Sequence, residues 1–250
     1  MRTPADVGVT YRDVPLTAAD GVQLSAWWLP ADGQPRGAIL FLHGNAENIS
    51  THLASVYWLP AAGYNVLLLD YRGFGASGGS PSLPAVFLDI EAALSWLADE
   101  YAEADLPVFM LGQSLGASLG AHVAGSDARW RQLLDGVILD AGFSRYSLVA
   151  RDVARKSWLL RPFQYPVALT MPDGYDPIDS IGAISPVPLM LIHGRHDQVI
   201  DSRYAQQLFA AAGEPKRLLQ FDGGHIQTFQ FEDNRQHLLD FLDWAAQRRH

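Results

Sequence analysis

Residues 107–116, Pro-Val-Phe-Met-Leu-Gly-Gln-Ser-Leu-Gly, constrain the fold more than any other stretch of the chain. An apolar run ends in the pattern Gly-x-Ser-x-Gly, and a segment of small residues with helical character follows at once. This context indicates a serine on a tight turn between a buried strand and a helix, with its hydroxyl pushed out of the sheet. The flanking glycines leave room where bulkier side chains would collide with the neighbouring strand or helix.

The same five-residue pattern occurs at 75–79, 112–116 and 116–120. Ser77 lies in a glycine-rich stretch with no helical segment immediately after it. Ser118 lies one turn inside the helix that Ser114 would open, so its hydroxyl is expected to bond the backbone one turn back. Ser114 alone has an apolar run before it and a helical segment after it. Ser114 is therefore the candidate nucleophile.

Strand patterns alternate with helical patterns along most of the chain. Most of the strand patterns are continuous apolar runs, as expected for strands buried on both faces, and they lie near 38–42, 66–69, 108–111, 137–139, 188–192 and 217–221. Helices are predicted at 51–62, 84–101, after Ser114, at 204–212 and near 238–245. An Asp-Gly pair at 20–21 separates two further strand-like runs and indicates a hairpin. The alternation predicts an α/β fold with a mostly parallel sheet and helices on both faces.

Three residues with complementary chemistry follow strands of this predicted sheet. Loops at the carboxyl ends of the strands form the site in such folds, and Ser114, Asp197 and His225 begin three of these loops, in that chain order. A serine hydroxyl is a poor nucleophile near neutral pH and needs an adjacent base. His225 could accept its proton and later pass it to a leaving group, while Asp197 would orient the imidazole and stabilise its cation.

The negative charge of a tetrahedral intermediate needs preorganised hydrogen-bond donors. The backbone N–H of Leu115, at the start of the helix, is one predicted donor, and the N–H of Asn45 or, as an alternative, of Ala46 is the other. Two assignments keep rivals at this stage. Asp140 also ends a strand and could replace Asp197 as the acid. His196 could replace His225 as the base, although it shares a loop with the predicted acid.

Residues 141–185 interrupt the alternation and are predicted to form a short lid, partly helical over about 144–158. The whole chain, 1–250, is otherwise predicted to be a single domain. The segment holds several aromatic residues and three prolines ahead of an Asp-Pro pair at 176–177. Phe143, Tyr146 and Trp158 are predicted to bind substrate by lining an acyl pocket; the alternative is that these aromatic residues only pack the lid against the domain.

Composition excludes several other classes of protein. The net charge of −9 and the lack of a basic cluster argue against nucleic-acid binding, and zero cysteines exclude disulfides, thiolate metal ligands and cysteine nucleophiles. The eight histidines have no metal-binding spacing, so we expect neither a metal nor another cofactor. No apolar run reaches transmembrane length and no signal-peptide core is present. The chain as written is predicted to be soluble and cytoplasmic; if an N-terminal segment was removed, it would be membrane-anchored or periplasmic.

Four motifs carry a family resemblance: Phe-Leu-His-Gly-Asn-Ala-Glu-Asn at 41–48, Leu-Asp-Tyr-Arg-Gly-Phe-Gly-Ala-Ser at 69–77, Gly-Gln-Ser-Leu-Gly at 112–116 and Ile-His-Gly-Arg-His-Asp-Gln-Val-Ile at 192–200. In this order they resemble the serine hydrolases of the α/β-hydrolase superfamily. The similar branch has a His-Gly-Asn-Ala motif and a short lid, and includes depalmitoylase-like and bacterial proteins. The resemblance implies an eight-stranded sheet with the second strand antiparallel, and Ser114, Asp197 and His225 as a catalytic triad.

The expected activity is hydrolysis of carboxylic esters through an acyl-enzyme, without a cofactor. A lid of this length favours small-molecule substrates such as short- to medium-chain acyl or aromatic esters. Residues 140–143, Asp-Ala-Gly-Phe, stand where relatives often have a glutamate followed by serine or proline, so the substrates of relatives are not carried over. The alternatives are an acyl-thioester hydrolase or protein deacylase, a peptidase, and a non-catalytic ligand-binding homologue.

Overall fold

The computed structural model describes residues 3–101, 104–156 and 173–249, and eight strands in these residues form one sheet. Across the sheet the strands follow the order β1-β2-β4-β3-β5-β6-β7-β8. The strands are β1 (Arg12–Thr17), β2 (Gln23–Leu29), β3 (Gly37–Leu42), β4 (Tyr64–Leu69), β5 (Val108–Gln113), β6 (Gly136–Asp140), β7 (Leu189–Gly194) and β8 (Lys216–Phe221).

The pairing of the strands confirms the mostly parallel sheet. β2 is antiparallel to both of its neighbours, β1 and β4, whereas the remaining pairs, from β4–β3 to β7–β8, are parallel. The predicted hairpin joins β1 to β2, with Gly21 at a φ of 88° in its turn. The antiparallel second strand and the α/β-hydrolase fold implied by the resemblance are therefore both present.

Helices cover the sheet, and most lie where the sequence patterns predict them. The described α-helices are α1 (Ile49–His52), α2 (Val86–Glu100), α3 (Leu115–Ser126), α4 (Ala128–Leu133), α5 (Tyr146–Lys156), α6 (Pro177–Ser180), α7 (Arg203–Ala211) and α8 (Glu232–Ala246). The helix predicted over 51–62 is wrong in extent: α1 ends at His52, a 3₁₀ turn follows at Leu53–Ser55, and turns continue to Gly63. Pro60 explains why no helix continues through 60–62, because it lacks a backbone N–H and disfavours helical backbone at the residue before it, whereas nothing in the structure explains the end of α1 at His52.

The core has one layer on each face of the sheet, as the continuous apolar runs predict. In the fully buried strand β3, alternate residues point to opposite faces. Leu40 and Leu42 join a cluster that includes side chains of α2 and α3, whereas Ile39 and Phe41 join a cluster that includes side chains of α1 and α8. This two-sided packing holds the carboxyl ends of the parallel strands in fixed positions along one edge.

The chain between β6 and β7 contains α5 and α6 among its described residues. The predicted helix over about 144–158 corresponds to α5, which begins two residues later than predicted, at Tyr146; residues 157–158, and so Trp158, lie outside the described residues. Within the described ranges no helix is long and apolar enough to cross a membrane.

Candidate active site

Ser114 occupies the sharp turn between β5 and α3. Its φ of 53° lies in the left-handed region, which a non-glycine residue adopts only where the surrounding structure holds it. Its N–H donates to the Asp140 carbonyl at 2.8 Å. A Cβ on Gly116 would lie 2.1 Å from the Leu42 carbonyl oxygen, and one on Gly112 would lie 2.4 Å from the Gly116 carbonyl oxygen. Both glycines are therefore required by the close approach of strand and helix.

The structure brings the three residues of the predicted triad together. Ser114 Oγ lies 3.1 Å from His225 Nε2, and His225 Nδ1 lies 2.7 Å from Asp197 Oδ2. A neutral ring that donates from Nδ1 to the carboxylate has its lone pair on Nε2, facing the serine hydroxyl. This arrangement can accept a proton from Ser114 and stabilise the resulting imidazolium.

Both carboxylate oxygens of Asp197 have polar partners. Its Oδ1 accepts hydrogen bonds from the backbone N–H groups of Val199 and Ile200, both at 2.8 Å, and its Oδ2 lies 3.3 Å from His193 Nε2. Burial alone would raise the pKa of Asp197, but hydrogen bonds from His193 and His225 outweigh burial and hold the pKa below its usual value. The carboxylate is therefore ionised at neutral pH. No sequence pattern marks His193 as a partner of this carboxylate.

The rival acid and base are bonded to other groups. Asp140 is buried at the end of β6, and its carboxylate accepts hydrogen bonds from Gln113 Nε2 and Thr228 Oγ1, each at 2.8 Å. Burial raises the pKa of this carboxyl group. His196 is exposed, and its Nε2 lies 2.5 Å from Asp222 Oδ1. Asp140 thus braces the loop that follows the predicted base, and His196 forms a surface pair.

Three backbone carbonyls of the loop after β3 each accept a hydrogen bond from a side chain. Tyr71 Oη donates to the His43 carbonyl at 3.0 Å, His43 Nδ1 lies 2.7 Å from the Gly44 carbonyl, and His52 Nε2 lies 3.0 Å from the Ala46 carbonyl. Burial lowers the pKa of His43 to about 3 and also lowers the pKa of His52. Both rings are therefore neutral at pH 7, and each donates its single N–H to this loop.

The bond to the Gly44 carbonyl sets the direction of the Asn45 N–H. In a trans peptide, the carbonyl and the following N–H point in opposite directions. Because the His43 ring holds the Gly44 oxygen on one side, the Asn45 N–H is turned to the other. Leu115 is the first residue of α3, so its N–H has no partner within the helix. The two predicted oxyanion donors border the same cavity.

Two cavities adjoin the loops that carry these residues. The first, the Leu115 cavity, has a volume of about 210 Å³, and its walls include Asn45, Tyr71, Phe74, Leu83, Val86 and Leu115. The second, the His225 cavity, has a volume of about 380 Å³, and its walls include Ala46, Glu47, His52, Ala54, His225 and Gln230.

The residues predicted to bind substrate lie beside the first cavity or outside the described chain. Phe143 and Tyr146 are each 5% exposed, with their rings 5.0 Å apart in an edge-to-face contact. They pack in a cluster that includes Leu83 and Leu115, which are themselves walls of the Leu115 cavity. Trp158 lies outside the described residues. Direct contact with substrate stays a prediction for all three aromatic residues.

Backbone strain is concentrated around this site. Among the described residues, four other than glycine have a positive φ: Glu47 (64°), Ser114 (53°), Ala141 (53°) and Ile226 (47°). Each lies in a loop at the carboxyl edge of the sheet. Such conformations persist only where surrounding contacts over-determine them, and they cluster at functional sites. Sequence patterns gave no sign of the strain at Glu47, Ala141 or Ile226.

Proton transfer and hydrogen bonding are the chemistry that this arrangement offers. In the part of the chain that the structure describes, no group of three or more His, Cys, Asp or Glu side chains is placed to hold a metal ion. The imidazole can move a proton to and from the serine, and the backbone N–H groups can bind a developing negative charge.

Comparison with known proteins places the same fold among hydrolases. A family model described as serine aminopeptidase, S33 (Hydrolase_4) matches residues 33–173. The chain is 33% identical over 237 residues to the uncharacterized protein YfhR of Escherichia coli (strain K12), covering 92% of this chain and 79% of that protein. It is 30% identical over 216 residues to the uncharacterized protein Rv2307c of Mycobacterium tuberculosis, covering 86% and 72%. The solved structure of the Pyrococcus furiosus esterase Pf2001 matches with a TM-score of 0.79 at 25% identity, covering 98% of this chain and 96% of that one.

Proposed function

The chain belongs to the α/β-hydrolase family described as serine aminopeptidase, S33, and has an esterase-like fold; on that premise we propose that it is a serine carboxylic-ester hydrolase. Ser114 is the nucleophile, His225 the general base and then acid, and Asp197 the group that orients the imidazole. One observation carries the proposal: the continuous pair of hydrogen bonds of 3.1 Å and 2.7 Å from the serine through the histidine to the carboxylate.

In the acylation step, Ser114 Oγ attacks the carbonyl carbon of the ester while its proton passes to His225 Nε2. The carbonyl oxygen becomes an oxyanion and receives hydrogen bonds from the N–H groups of Asn45 and Leu115. The bond to the alcohol oxygen then breaks, and that oxygen takes the proton from His225. The products are a free alcohol and an acyl group on Ser114.

In the deacylation step, the same imidazole removes a proton from water as the water attacks the acyl carbon. The second oxyanion accepts hydrogen bonds from the same two N–H groups, and Ser114 Oγ leaves with the proton from His225. No cofactor takes part. The proposed substrates are short- to medium-chain acyl or aromatic esters, and the small, largely apolar Leu115 cavity supports this choice.

Peptide hydrolysis is the second candidate, because the matching family is described as a serine aminopeptidase. An aminopeptidase must bind a free amino group close to the scissile carbonyl, and a carboxylate is the usual partner for such a cation. The described side chains that line the Leu115 cavity carry no carboxylate. Ester hydrolysis is therefore the better supported of the two.

A panel of substrates tests the proposal. We expect purified protein to hydrolyse 4-nitrophenyl acetate and butanoate with a kcat/KM well above that for the matched thioester and for amino-acid 4-nitroanilides. A higher kcat/KM for the thioester would favour the thioester hydrolase or protein deacylase, and a higher value for the anilides would favour the peptidase. Binding of the esters without turnover would favour a non-catalytic homologue.

A further inference from the structure

The two cavities share no wall residue: His225 borders one of them, and Asn45 and Leu115 border the other. The leaving oxygen must receive its proton from His225 Nε2, so the alcohol part of an ester lies next to that imidazole. His225 is itself a wall of the His225 cavity. The acyl part extends from the carbonyl in the other direction, and the Leu115 cavity, bordered by both proposed oxyanion donors, lies there. The His225 cavity is therefore the alcohol side and the Leu115 cavity the acyl side.

The sizes of the two cavities differ. The acyl side has about 210 Å³, whereas the alcohol side has about 380 Å³. Sites for drug-sized ligands usually have roughly 300–1,000 Å³, so the alcohol side falls within that range and the acyl side falls below it.

The two cavities also differ in the chemistry of their walls. The walls of the acyl side are mostly apolar, from side chains such as Phe74, Leu83 and Val86. The walls of the alcohol side combine apolar surface with the hydrogen-bonding side chains of Glu47, Thr51, Ser55 and Gln230. Such carboxylate, hydroxyl and amide groups can bind hydroxyl groups of a ligand.

We infer that the substrates are short-chain acyl esters of bulky alcohols rich in hydroxyl groups, such as a sugar or another polyol. This inference rests on the proposed function. It adds that the alcohol part of the ester is large and polar and that the acyl part is small. Glu47 and Ile226, two of the strained residues, both line the alcohol side. Their positions are thus held by the fold against a local backbone preference, as expected of a preformed binding surface.

A pair of reversed esters tests the size difference. 2-Phenylethyl acetate and ethyl phenylacetate contain the same atoms, but the ring is on the alcohol side of the first and on the acyl side of the second. After correction for their rates of alkaline hydrolysis, we expect kcat/KM to favour 2-phenylethyl acetate by about tenfold or more. Equal values or the opposite preference would overturn the inference while leaving ester hydrolysis intact. Failure to hydrolyse either ester or 4-nitrophenyl acetate would overturn the proposed function and this inference with it.

Variants on each side sharpen the test. Ala54→Phe adds a ring to the wall of the alcohol side and should lower kcat/KM for 2-phenylethyl acetate about tenfold more than for ethyl acetate. Ala61→Phe, at an exposed position outside both cavities, is the matched control and should leave the ratio unchanged. Val86→Ala enlarges the acyl side and should shift the preference toward ethyl phenylacetate. An unchanged ratio in both Ala54→Phe and Val86→Ala would overturn the assignment of the cavities.

A second pair tests polarity at nearly constant size. Glucose 6-acetate and cyclohexylmethyl acetate both place a six-membered ring one carbon away from the ester oxygen, but only the first carries hydroxyl groups. We expect a higher kcat/KM for the sugar ester, and a reduced preference in Gln230→Leu. A preference for the cyclohexyl ester would show that the alcohol side selects apolar groups and would overturn the polar half of the inference.

Discussion

Three stretches of this chain share the pattern Gly-x-Ser-x-Gly, and the serines of two of them, at 112–116 and 75–79, differ in the groups that their hydroxyls contact. Ser114 has a φ of 53°, and its Oγ lies 3.1 Å from His225 Nε2. Ser77 Oγ donates to the Asp70 carbonyl at 2.6 Å and accepts from the Ser25 N–H at 2.8 Å. The Ser114 hydroxyl faces an imidazole, and the Ser77 hydroxyl joins its loop to β2.

The glycines of the two stretches differ in backbone conformation. Gly116 is required by close packing alone, since its Cβ would meet the Leu42 carbonyl oxygen at 2.1 Å. Gly75 and Gly79 have positive φ values of 51° and 74°, which allow the loop to turn, and a Cβ on Gly75 would also lie 1.8 Å from Asp70 Oδ2. The same letters therefore describe a packed strand–helix junction in one place and a turning loop in the other. We expect reactivity at the junction, because of these two hydroxyl groups only that of Ser114 contacts an imidazole instead of the backbone.

Replacing Ser114 should have the largest effect. We expect Ser114→Ala to lower kcat/KM for 4-nitrophenyl acetate by about 10⁶-fold, because the attacking oxygen is lost, while thermal unfolding is little changed. Ser77→Ala and Ser118→Ala are the matched controls and should each keep activity within about tenfold. Comparable losses in all three variants would mean that the shared pattern, and not the junction, explains the activity.

Replacing the proposed acid, Asp197, should have the second-largest effect. Asp197→Asn should lower kcat by about 10⁴-fold, because an amide no longer stabilises the imidazolium or selects its tautomer. Asp140→Asn is the control: Gln113 Oε1 has no hydrogen-bond partner, so the Gln113 amide can turn to accept from the new Asn. We expect Asp140→Asn to keep kcat within about tenfold. A larger loss at Asp140 than at Asp197 would identify Asp140 as the acid.

Replacing a glycine at the strand–helix junction should have an intermediate effect, which falls on the free energy of unfolding. Gly116→Ala should reduce the free energy of unfolding by about 3 kcal/mol, because the new methyl group displaces β3 or α3. Gly78→Ala should change the free energy of unfolding by less than about 1 kcal/mol, because the new Cβ would lie 3.4 Å from the Gln23 carbonyl oxygen, which is an ordinary van der Waals contact. Urea unfolding of both variants measures the difference, and equal losses would contradict the packing explanation.

The loop serine should have the smallest effect. Ser77→Ala removes both hydrogen bonds of the hydroxyl and should reduce the free energy of unfolding by about 1 kcal/mol. Ser80→Ala, on the exposed part of the same loop, should cost less than half of that. If Ser77→Ala instead abolished ester hydrolysis while the protein stayed folded, the division between the two stretches would be wrong.

Much of the fold could be predicted from the sequence because its signals are local. The apolar runs that became β3 to β7 marked buried strands, and the motif order marked the sites of Ser114, Asp197 and His225 on one edge. Hydrogen bonds from side chains to backbone carbonyls have no comparable pattern in the sequence. The bonds from Tyr71 to the His43 carbonyl and from His52 to the Ala46 carbonyl depend on tertiary packing, and so does the division of the site into two cavities.

Labelling with a fluorophosphonate, followed by mass spectrometry of the digested protein, tests most directly the claim that Ser114 is the reactive serine. We expect one label per chain, on the peptide that contains Ser114, with hydrolysis of 4-nitrophenyl acetate lost in proportion to labelling. The peptides that contain Ser77 and the other serines should remain unmodified. A label on Ser77, or full esterase activity in protein that carries the label on Ser114, would contradict the account.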